Sequence, residues 1–500
     1  MSSSPAAAAS SRPNILFLMT DQQRFDTIAA LGAAPALTPN LDRLVRRGVA
    51  CTQAYSTCPV CVPARYTLMT GCEPSRTGWF SNWQEPAKPR ETCGAYLAET
   101  MQAAGYRTWG LGKFHTEPRT EPLGFETQEY SEELWPTEEE FLADDYVKWL
   151  RDRAPDLHHL EQVHGERTEM YYVPQLRPQP KELCAEAWLA GRAQEEVRRP
   201  DPRPYFGFVS FVQPHPPIAP PIPYNRLFDP DHMPAPALGD PGLDTMDDYL
   251  GWMNHAVWAE DVSVGRAKLL RARYAGSIAF IDACIGRILD AVEEGPEADN
   301  TLICFFSDHG DHLGDHRAWQ KESFFEASCR IPLLVSWPRR LPADARSAAL
   351  VALTDLFGLA TSAAGRSELR QGQDLLAVLE RRVPARSHLL GVFGTPGTPN
   401  FKAMVREGDW KYLWLCNGGR EALFNVAGNP EENECFAARE PAVTARLKAA
   451  LVASLQAESA TQPALSGTTL VAFPFAPFPR VRIRQFARGV TDFGQGPVPR

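Results

Sequence analysis

The chain has 500 residues, of which 44% are apolar and 22% are charged, and its formal net charge at pH 7 is −10. This composition is typical of a globular protein and argues against a disordered or fibrous chain. The negative charge argues against a nucleic-acid-binding protein and a polybasic membrane anchor, and no apolar run approaches the roughly 20 residues of a membrane helix. We therefore expect neither a nucleic-acid partner nor a membrane partner.

The N-terminus and the cysteines predict in which cellular compartment the protein resides. Residues 1–12 are rich in Ser and Ala and lack the apolar segment of a signal peptide, which predicts a flexible tail on a cytoplasmic protein. The 11 cysteines are odd in number, so we expect reduced, buried thiols and no disulfide framework. Cys58 and Cys61 have C-x-x-C spacing, but no second pair follows at the usual distance, which makes zinc the weaker interpretation.

Five short apolar runs, rich in β-branched and aromatic residues, predict buried strands. They cover residues 14–20, 107–112, 205–212, 302–307 and 331–336. Helical patterns lie between them, and the longest covers residues 266–294. Strands that alternate with helices predict an α/β fold with a large, mostly parallel central sheet and helices on both faces.

The pattern divides the chain into regions. We predict a catalytic domain over residues 13–385, within which residues 117–204 are an irregular, charged insertion over the sheet edge. Short strands joined by glycine-containing turns, followed by a helix, predict a smaller α+β subdomain with an antiparallel sheet over residues 386–472. Residues 473–500 are rich in Pro, Arg and Phe without periodicity, and we predict an irregular tail that could join a homo-oligomer contact.

Four of the predicted strands are followed directly by charged, amide or imidazole side chains. In open α/β sheets, ligands bind beyond the carboxyl ends of the strands. One such loop alone would be unremarkable, but four together predict an active site. The residues concerned are Asp21 and Gln22, Lys113 and His115, His215, and Asp308 and His309.

Residues 61–71 form the segment with the most specific pattern. Pro63 suits the first turn of a helix and Gly71 suits its end, which places Cys61 just before a helix N-terminus. The free N–H groups and the dipole at such an end favour an anion. Arg65 lies one turn inside, and its guanidinium matches a tetrahedral oxyanion. Taken alone, the segment could equally be a buried cysteine in a well-capped helix.

The segment resembles the sulfatase signature C-x-P-x-R followed by L-x-T-G, in which the cysteine is converted to formylglycine. The resemblance extends in order through residues 13–24, 38–44, 105–115 and 307–316, and then to Lys321. Several long motifs in the right order are far more specific than one short motif. The resemblance implies an alkaline-phosphatase-like α/β/α sandwich, one divalent cation and hydrolysis of a small-molecule sulfate monoester. It also implies maturation by a formylglycine-generating enzyme.

The resemblance assigns a metal shell to Asp21, Gln22, Asp308 and His309, completed by the oxidised Cys61 side chain. Oxygen-rich ligation suits calcium, and a histidine in the shell admits manganese. Gln22 and His309 could instead orient the other ligands.

The resemblance also assigns the catalytic steps. One hydroxyl of the hydrated formylglycine at Cys61 attacks sulfur, while Arg65 and Lys113 stabilise the hydrate and the sulfuryl oxygens. His215 and Lys321 serve the leaving oxygen, with His215 as proton donor. His115 takes the proton from the remaining hydroxyl, so that the sulfate is expelled and the aldehyde returns.

Two pairs depart from the pattern of many sulfatases, which have Asp-Asp and Asp-Asn in the two metal loops. Here the pairs are Asp21-Gln22 and Asp308-His309, a combination that resembles the choline-sulfatase and phosphonate-monoester-hydrolase branches. The phosphonate branch generally lacks a pair such as Lys113 and His115, which favours a sulfate ester. A phosphonate monoester or phosphodiester hydrolase is the alternative. A non-catalytic anion- or metal-binding relative remains a third possibility if Cys61 stays a thiol.

Overall fold

The structure is a computed structural model that describes residues 12–82, 84, 86–157 and 171–480 and the backbone of two short strands beyond them. The predicted N-terminal tail, apart from Arg12, and half of the predicted C-terminal tail lie outside these residues. None of the helices in the described part of the chain is both long and apolar enough to cross a membrane.

The centre of the fold is a nine-stranded sheet with the order β4-β3-β5-β1-β6-β8-β2-β7, in which β9 also pairs with β2. The pairs from β4 to β6 are parallel, whereas β7 and β8 run antiparallel to their neighbours. The predicted mostly parallel sheet is confirmed. The strands are β1 (Asn14–Asp21), β2 (Val49–Tyr55), β3 (Arg107–Gly112), β4 (Thr127–Tyr130), β5 (Tyr205–Pro214), β6 (Thr301–Ser307), β7 (Arg330–Ile331), β8 (Leu333–Ser336) and β9 (Ala345–Ala352).

Helices cover both faces of this sheet, as its alternating side chains require. Phe17 of β1 packs in one apolar cluster with α2, α5 and α13, and Leu16 packs on the opposite face with α1, α8 and α11. The helices are α1 (Pro39–Arg47), α2 (Cys61–Thr70), α3 (Pro74–Thr77), α4 (Pro89–Cys93), α5 (Leu97–Ala103), α6 (Glu138–Ala143), α7 (Asp145–Arg153), α8 (Ala185–Arg198), α9 (Pro241–Asp244), α10 (Asp248–Ala256), α11 (Val264–Glu293), α12 (Glu326–Cys329), α13 (Thr354–Ala363), α14 (Leu375–Leu379) and α15 (Pro441–Ala457).

Two predictions about these elements are corrected. The strand predicted over residues 331–336 is two strands, β7 and β8, separated at Pro332, which has no N–H to donate to a sheet. The segment 117–204, predicted as irregular, contains β4, α6, α7 and α8. Charged residues lie on both the exposed and the buried sides of these elements, for example Glu195 and the buried Glu186 and Glu196 of α8, which masks their periodicity in the sequence.

The predicted C-terminal unit is present as an antiparallel sheet with the order β10-β11-β12-β13. Leu447, Leu451 and Leu455 of α15 are buried at helical spacing against one face of it. The other face meets the large domain, where the ring of Phe424 lies 5.7 Å from that of Phe325. The strands are β10 (His388–Phe393), β11 (Lys402–Glu407), β12 (Trp410–Leu415) and β13 (Arg420–Asn425), followed by the short pairs β14 (Leu465–Ser466) with β15 (Thr469–Leu470) and β16 (Ile483–Gln485) with β17 (Thr491–Phe493).

Candidate active site

The predicted site residues meet at one edge of the large sheet. The strands β3, β5, β1 and β6 are consecutive neighbours, so the segments that follow them lie side by side. Together with the start of α2 and Lys321, they bring all ten predicted side chains to this edge. All ten are buried: Asp21, Gln22, Cys61, Arg65, Lys113, His115, His215, Asp308, His309 and Lys321.

Helix α2 presents Cys61 to this edge. Cys61 is the first helical residue, so the helix begins earlier than predicted, and Val60 precedes it in an extended conformation. The N–H of Val62 donates to Oδ1 of Asn82, at 3.0 Å. At the other end Gly71 adopts a φ of 66°, and its N–H donates to the Thr67 carbonyl oxygen. A side chain at Gly71 would also collide with Phe357, so glycine is required there.

Four side chains form a compact group that could hold a metal ion. One donor atom from each of Asp21, Cys61, Asp308 and His309 lies within 4.8 Å of the others. The His309 Nδ1 lies 3.0 Å from the Gly310 carbonyl oxygen, which makes Nδ1 the protonated nitrogen and leaves a lone pair on Nε2. That Nε2 lies 3.3 Å from Sγ of Cys61 and 3.6 Å from Oδ2 of Asp308. Oδ2 of Asp308 is buried and has no hydrogen-bond partner among the described residues. The lone pair on Nε2 of His309 and the unpaired Oδ2 of Asp308 are therefore suitable ligand atoms for a divalent cation.

Gln22 lies beside this group in a left-handed conformation, with a φ of 66°. Its Oε1 accepts a hydrogen bond from Nζ of Lys321 at 2.6 Å, and its Nε2 donates to Oδ2 of Asp311 at 2.5 Å. The amide orientation is therefore fixed by two charged neighbours. Oε1 keeps a second lone pair, so both predicted roles of Gln22, as a ligand and as an orienting residue, remain predictions.

Arg65 and Lys113 hold the two carboxylates in place. Arg65 donates to Oδ2 of Asp21 at 2.9 Å, and its Nε lies 3.4 Å from Oδ2 of Asp308. Nζ of Lys113 lies 2.6 Å from Oδ2 of Asp21. Burial alone would raise the pKa of Asp21, but Lys113 and its other cationic neighbours hold that pKa well below the ordinary value. Asp21 is therefore an anion at neutral pH.

The Cys61 thiol has the opposite electrostatic environment. Burial, assisted by the nearby Asp21 carboxylate, raises the pKa of the thiol to about 12. The unmodified side chain therefore stays protonated at neutral pH, and a protonated thiol is a poor nucleophile.

The two catalytic histidine candidates are buried and neutral. Burial and Arg119 lower the pKa of His115 well below its ordinary value, and burial and Lys321 lower the pKa of His215 to about 3. The Nδ1 of His215 lies 2.6 Å from the Pro216 carbonyl oxygen and donates to it, which leaves Nε2 free to face the site. Neither Nε2 of His215 nor Nδ1 of His115 has a hydrogen-bond partner in the structure.

Two carboxylates at this edge were missed by the sequence analysis. Oε1 of Glu132 accepts hydrogen bonds from the backbone N–H groups of Phe114 and His115, at 2.6 and 2.9 Å. Glu133 forms an ion pair with Lys113. Both follow β4 within the segment predicted as irregular, and no motif marks them.

Cys58, the other cysteine of the C-x-x-C spacing, takes no part in the group formed around Cys61. Sγ of Cys58 lies 3.5 Å from the Phe80 carbonyl oxygen, and the donor atoms around Cys61 come from Asp21, Asp308 and His309. The 11 cysteines, all within the described ranges, are free thiols, and only Cys435 is not fully buried.

Comparisons with known proteins agree with this architecture. The family model described as Sulfatase matches residues 13–365, a range that includes every side chain of the site. An arylsulfatase of Clostridium perfringens (strain 13 / Type A) is 27% identical over 438 residues, which are 84% of this chain and 89% of that protein. A choline-sulfatase of Rhizobium meliloti (strain 1021) is 28% identical over 446 residues, or 84% of this chain and 81% of that protein. The solved phosphonate monoester hydrolase of Agrobacterium radiobacter has a TM-score of 0.75 and 26% identity, and the match covers 89% of this chain and 96% of that one.

Proposed function

The chain belongs to the sulfatase family, and we propose that it hydrolyses a small sulfate monoester with a formylglycine made from Cys61. The observation that carries this proposal is the position of Cys61. Its side chain completes a buried group formed with Asp21, Asp308 and His309. A thiol with a pKa of about 12 does not supply a nucleophile there, whereas a hydrated aldehyde at the same position would.

The chain's own residues then have distinct tasks. Lys113 and Lys321 are buried cations beside Cys61, where they can bind the oxygens of a tetrahedral anion. Arg65 already contacts both carboxylates, so its main task is to hold the ligand group together while it adds positive charge.

The histidines divide the proton transfers between them. His115 is neutral and therefore suited to accept a proton. Nε2 of His215 carries the lone pair of the neutral ring, so it must first take up a proton, which a bound anion that offsets the charge of Lys321 favours, and it can then pass that proton to the leaving oxygen.

A divalent cation is part of the proposal. Asp21, Asp308 and His309 would hold it, with Gln22 beside them, and calcium or manganese suits this mixture of oxygen and imidazole donors. When bound, the cation neutralises ester charge and makes a neighbouring hydroxyl more acidic.

The modification can be tested directly. After co-expression with a formylglycine-generating enzyme, mass spectrometry of the peptide that carries residue 61 should show the conversion of the side chain from CH2SH to CHO. Cys61→Ala should abolish turnover of an aryl sulfate, because no nucleophile remains. Cys58→Ala is the matched control, since that thiol only contacts the Phe80 carbonyl oxygen, and it should keep most of the activity. Equal loss in both variants would contradict the proposal.

A phosphonate monoester hydrolase is the second candidate, favoured by the TM-score of 0.75 with such an enzyme. Lys113 and His115 favour sulfate, because the resemblance places such a pair in sulfatases. The kcat/KM values for an aryl sulfate and an aryl phosphonate with the same leaving group separate the two candidates. A clear preference for the phosphonate that survives metal exchange would establish the alternative.

A further inference from the structure

Glu133 faces the side chains that are expected to meet the substrate anion. Its carboxylate forms an ion pair with Lys113, and its Oε2 lies 3.5 Å from Nε2 of His215. Its Oε1 lies 3.9 Å from Nδ1 of His115. The side chain is only 6% exposed. A buried negative charge therefore lies beside the side chains proposed to meet the substrate anion, and Lys113 separates it from Asp21.

This carboxylate changes the charge balance of the site. The cations of the predicted site are Arg65, Lys113 and Lys321, and the carboxylates that form ion pairs with them are Asp21, Asp308 and Glu133. The histidines are neutral because burial lowers their pKa values. With a divalent cation bound, these six side chains and the cation would carry two positive charges together, and without Glu133 they would carry three.

We propose that Glu133 is a specificity-determining residue that restricts the site to esters with a single negative charge. This inference rests on the proposed ester hydrolysis at the same site. A proton donor has to lie within about 3 Å of the leaving oxygen, so the ester bound beside His215 lies within about 7 Å of the Glu133 carboxylate.

The charge of the substrate then decides how strongly Glu133 acts. Sulfate and phosphonate monoesters carry one negative charge, whereas a phosphate monoester carries about two above pH 7, since its second pKa is about 6. One additional unit of charge at about 7 Å, with an effective dielectric constant of about 20, disfavours the doubly charged ester by roughly 50-fold.

The test uses two esters with the same leaving group and the same central atom. The kcat/KM values for 4-nitrophenyl phosphate and 4-nitrophenyl phenylphosphonate are measured at pH 8 for the wild-type holoenzyme and for Glu133→Gln. We expect the phosphate-to-phosphonate ratio to rise by about 10- to 50-fold in Glu133→Gln. The ratio of 4-nitrophenyl sulfate to the phosphonate should stay within about threefold, since both esters carry one charge.

Controls separate charge from structure. Glu129→Gln makes the same chemical change four residues earlier, where the carboxylate pairs with Arg192 at 2.6 Å outside the site, and it should leave both ratios unchanged. Glu133→Asp keeps the charge and should keep the wild-type ratio. Glu133→Ala supplies a second neutral variant if Glu133→Gln fails to fold in a thermal melt.

The outcomes distinguish this inference from the proposed function. If the neutral variants change all rates in parallel and leave the phosphate-to-phosphonate ratio unaltered, Glu133 has only a structural role and the inference is wrong. If no ester is hydrolysed, the proposed function fails. Calorimetric binding of phenyl phosphate and phenyl methylphosphonate then measures the same charge preference without turnover, and an unchanged binding ratio in Glu133→Gln would overturn the inference as well.

Discussion

The substitution Asp308→Asn should have opposite effects on metal binding and on the stability of the metal-free protein. Oδ1 of Asp308 accepts the backbone N–H groups of Gln22 and His309, at 3.0 and 2.9 Å. The Asn carbonyl oxygen can accept the same two bonds, so the loops should keep their conformation. At Oδ2, which has no hydrogen-bond partner among the described residues, the substitution removes a negative charge. The amide NH2 group can then point at the cation in place of an oxygen ligand.

The effect on stability follows from the ionisation of this carboxyl group. Burial, with Asp21 nearby, raises the pKa of Asp308 to about 7, from an ordinary value of 3.8. A carboxyl group with a raised pKa in the folded state destabilises that state as the pH rises from the ordinary pKa to the folded one, and the full penalty applies above pH 7. About three pH units at about 1.4 kcal/mol each correspond to a penalty of up to about 4 kcal/mol.

Asn carries no such penalty, so metal-free Asp308→Asn should be more stable than metal-free wild type above pH 7. The gain should shrink as the pH falls and vanish below about pH 3, where Asp308 is protonated in both states. Metal affinity should fall by more than about 100-fold, because residues that only orient metal ligands already contribute 10- to 100-fold.

The stability of the metal-free protein is measured by thermal melts in excess chelator. Metal binding is measured by melts with added calcium or manganese and by elemental analysis after dialysis. The cation should raise the melting temperature of the wild type far more than that of Asp308→Asn. Retention of one metal ion per chain in Asp308→Asn, or a metal-free variant that melts below the wild type at pH 8, would refute the reasoning. Glu129→Gln is again a suitable control, since it removes a carboxylate distant from the ligand group.

Two further predictions concern residues that support the site. Lys411→Met should lower the free energy of unfolding by about 3–5 kcal/mol, because it leaves two buried carboxylates without their cation. Nζ of the fully buried Lys411 lies 2.8 Å from the Glu326 carboxylate and 2.6 Å from that of Glu432. A urea titration measures the change, and an unchanged midpoint would contradict the prediction. Glu132→Ala should lower kcat for an aryl sulfate by about 10- to 100-fold at unchanged metal content, because two backbone N–H groups next to Lys113 lose their acceptor. Glu132→Gln keeps an acceptor oxygen and should keep most of the activity, and equal loss in both variants would show that the negative charge is what matters.

The part of the fold that carries the site could be predicted because its strands are buried on both faces. Such strands have continuous apolar sequences, and β1, β3, β5 and β6 were recognised by this feature. The polar side chains that follow them stand out for the same reason. The prediction that these strands share one edge was sufficient to bring Asp21, Lys113, His215 and Asp308 together, and their neighbouring order in the sheet agrees with it.

Other strands could not be predicted from apolar runs. Thr52 and Gln53 interrupt β2, and both are partly exposed. The strand is held by pairing with β8 and β9, which are distant in sequence. Strand propensity depends strongly on such pairing, and no local pattern reveals it.

Glu132 and Glu133 were missed because the strand before them was missed. All four side chains of β4 are only partly buried, which is typical of an edge strand and leaves no apolar run in the sequence. Yet β4 runs parallel to β3, with Tyr130 opposite Gly112, so the residues after β4 emerge beside those after β3. Glu133 meets Lys113 because β4 and β3 are parallel neighbours, just as Asp21 and Asp308 meet because β1 and β6 are parallel neighbours. The rule that located the other side chains therefore also accounts for Glu133, since a fifth parallel strand delivers a carboxylate to the same edge.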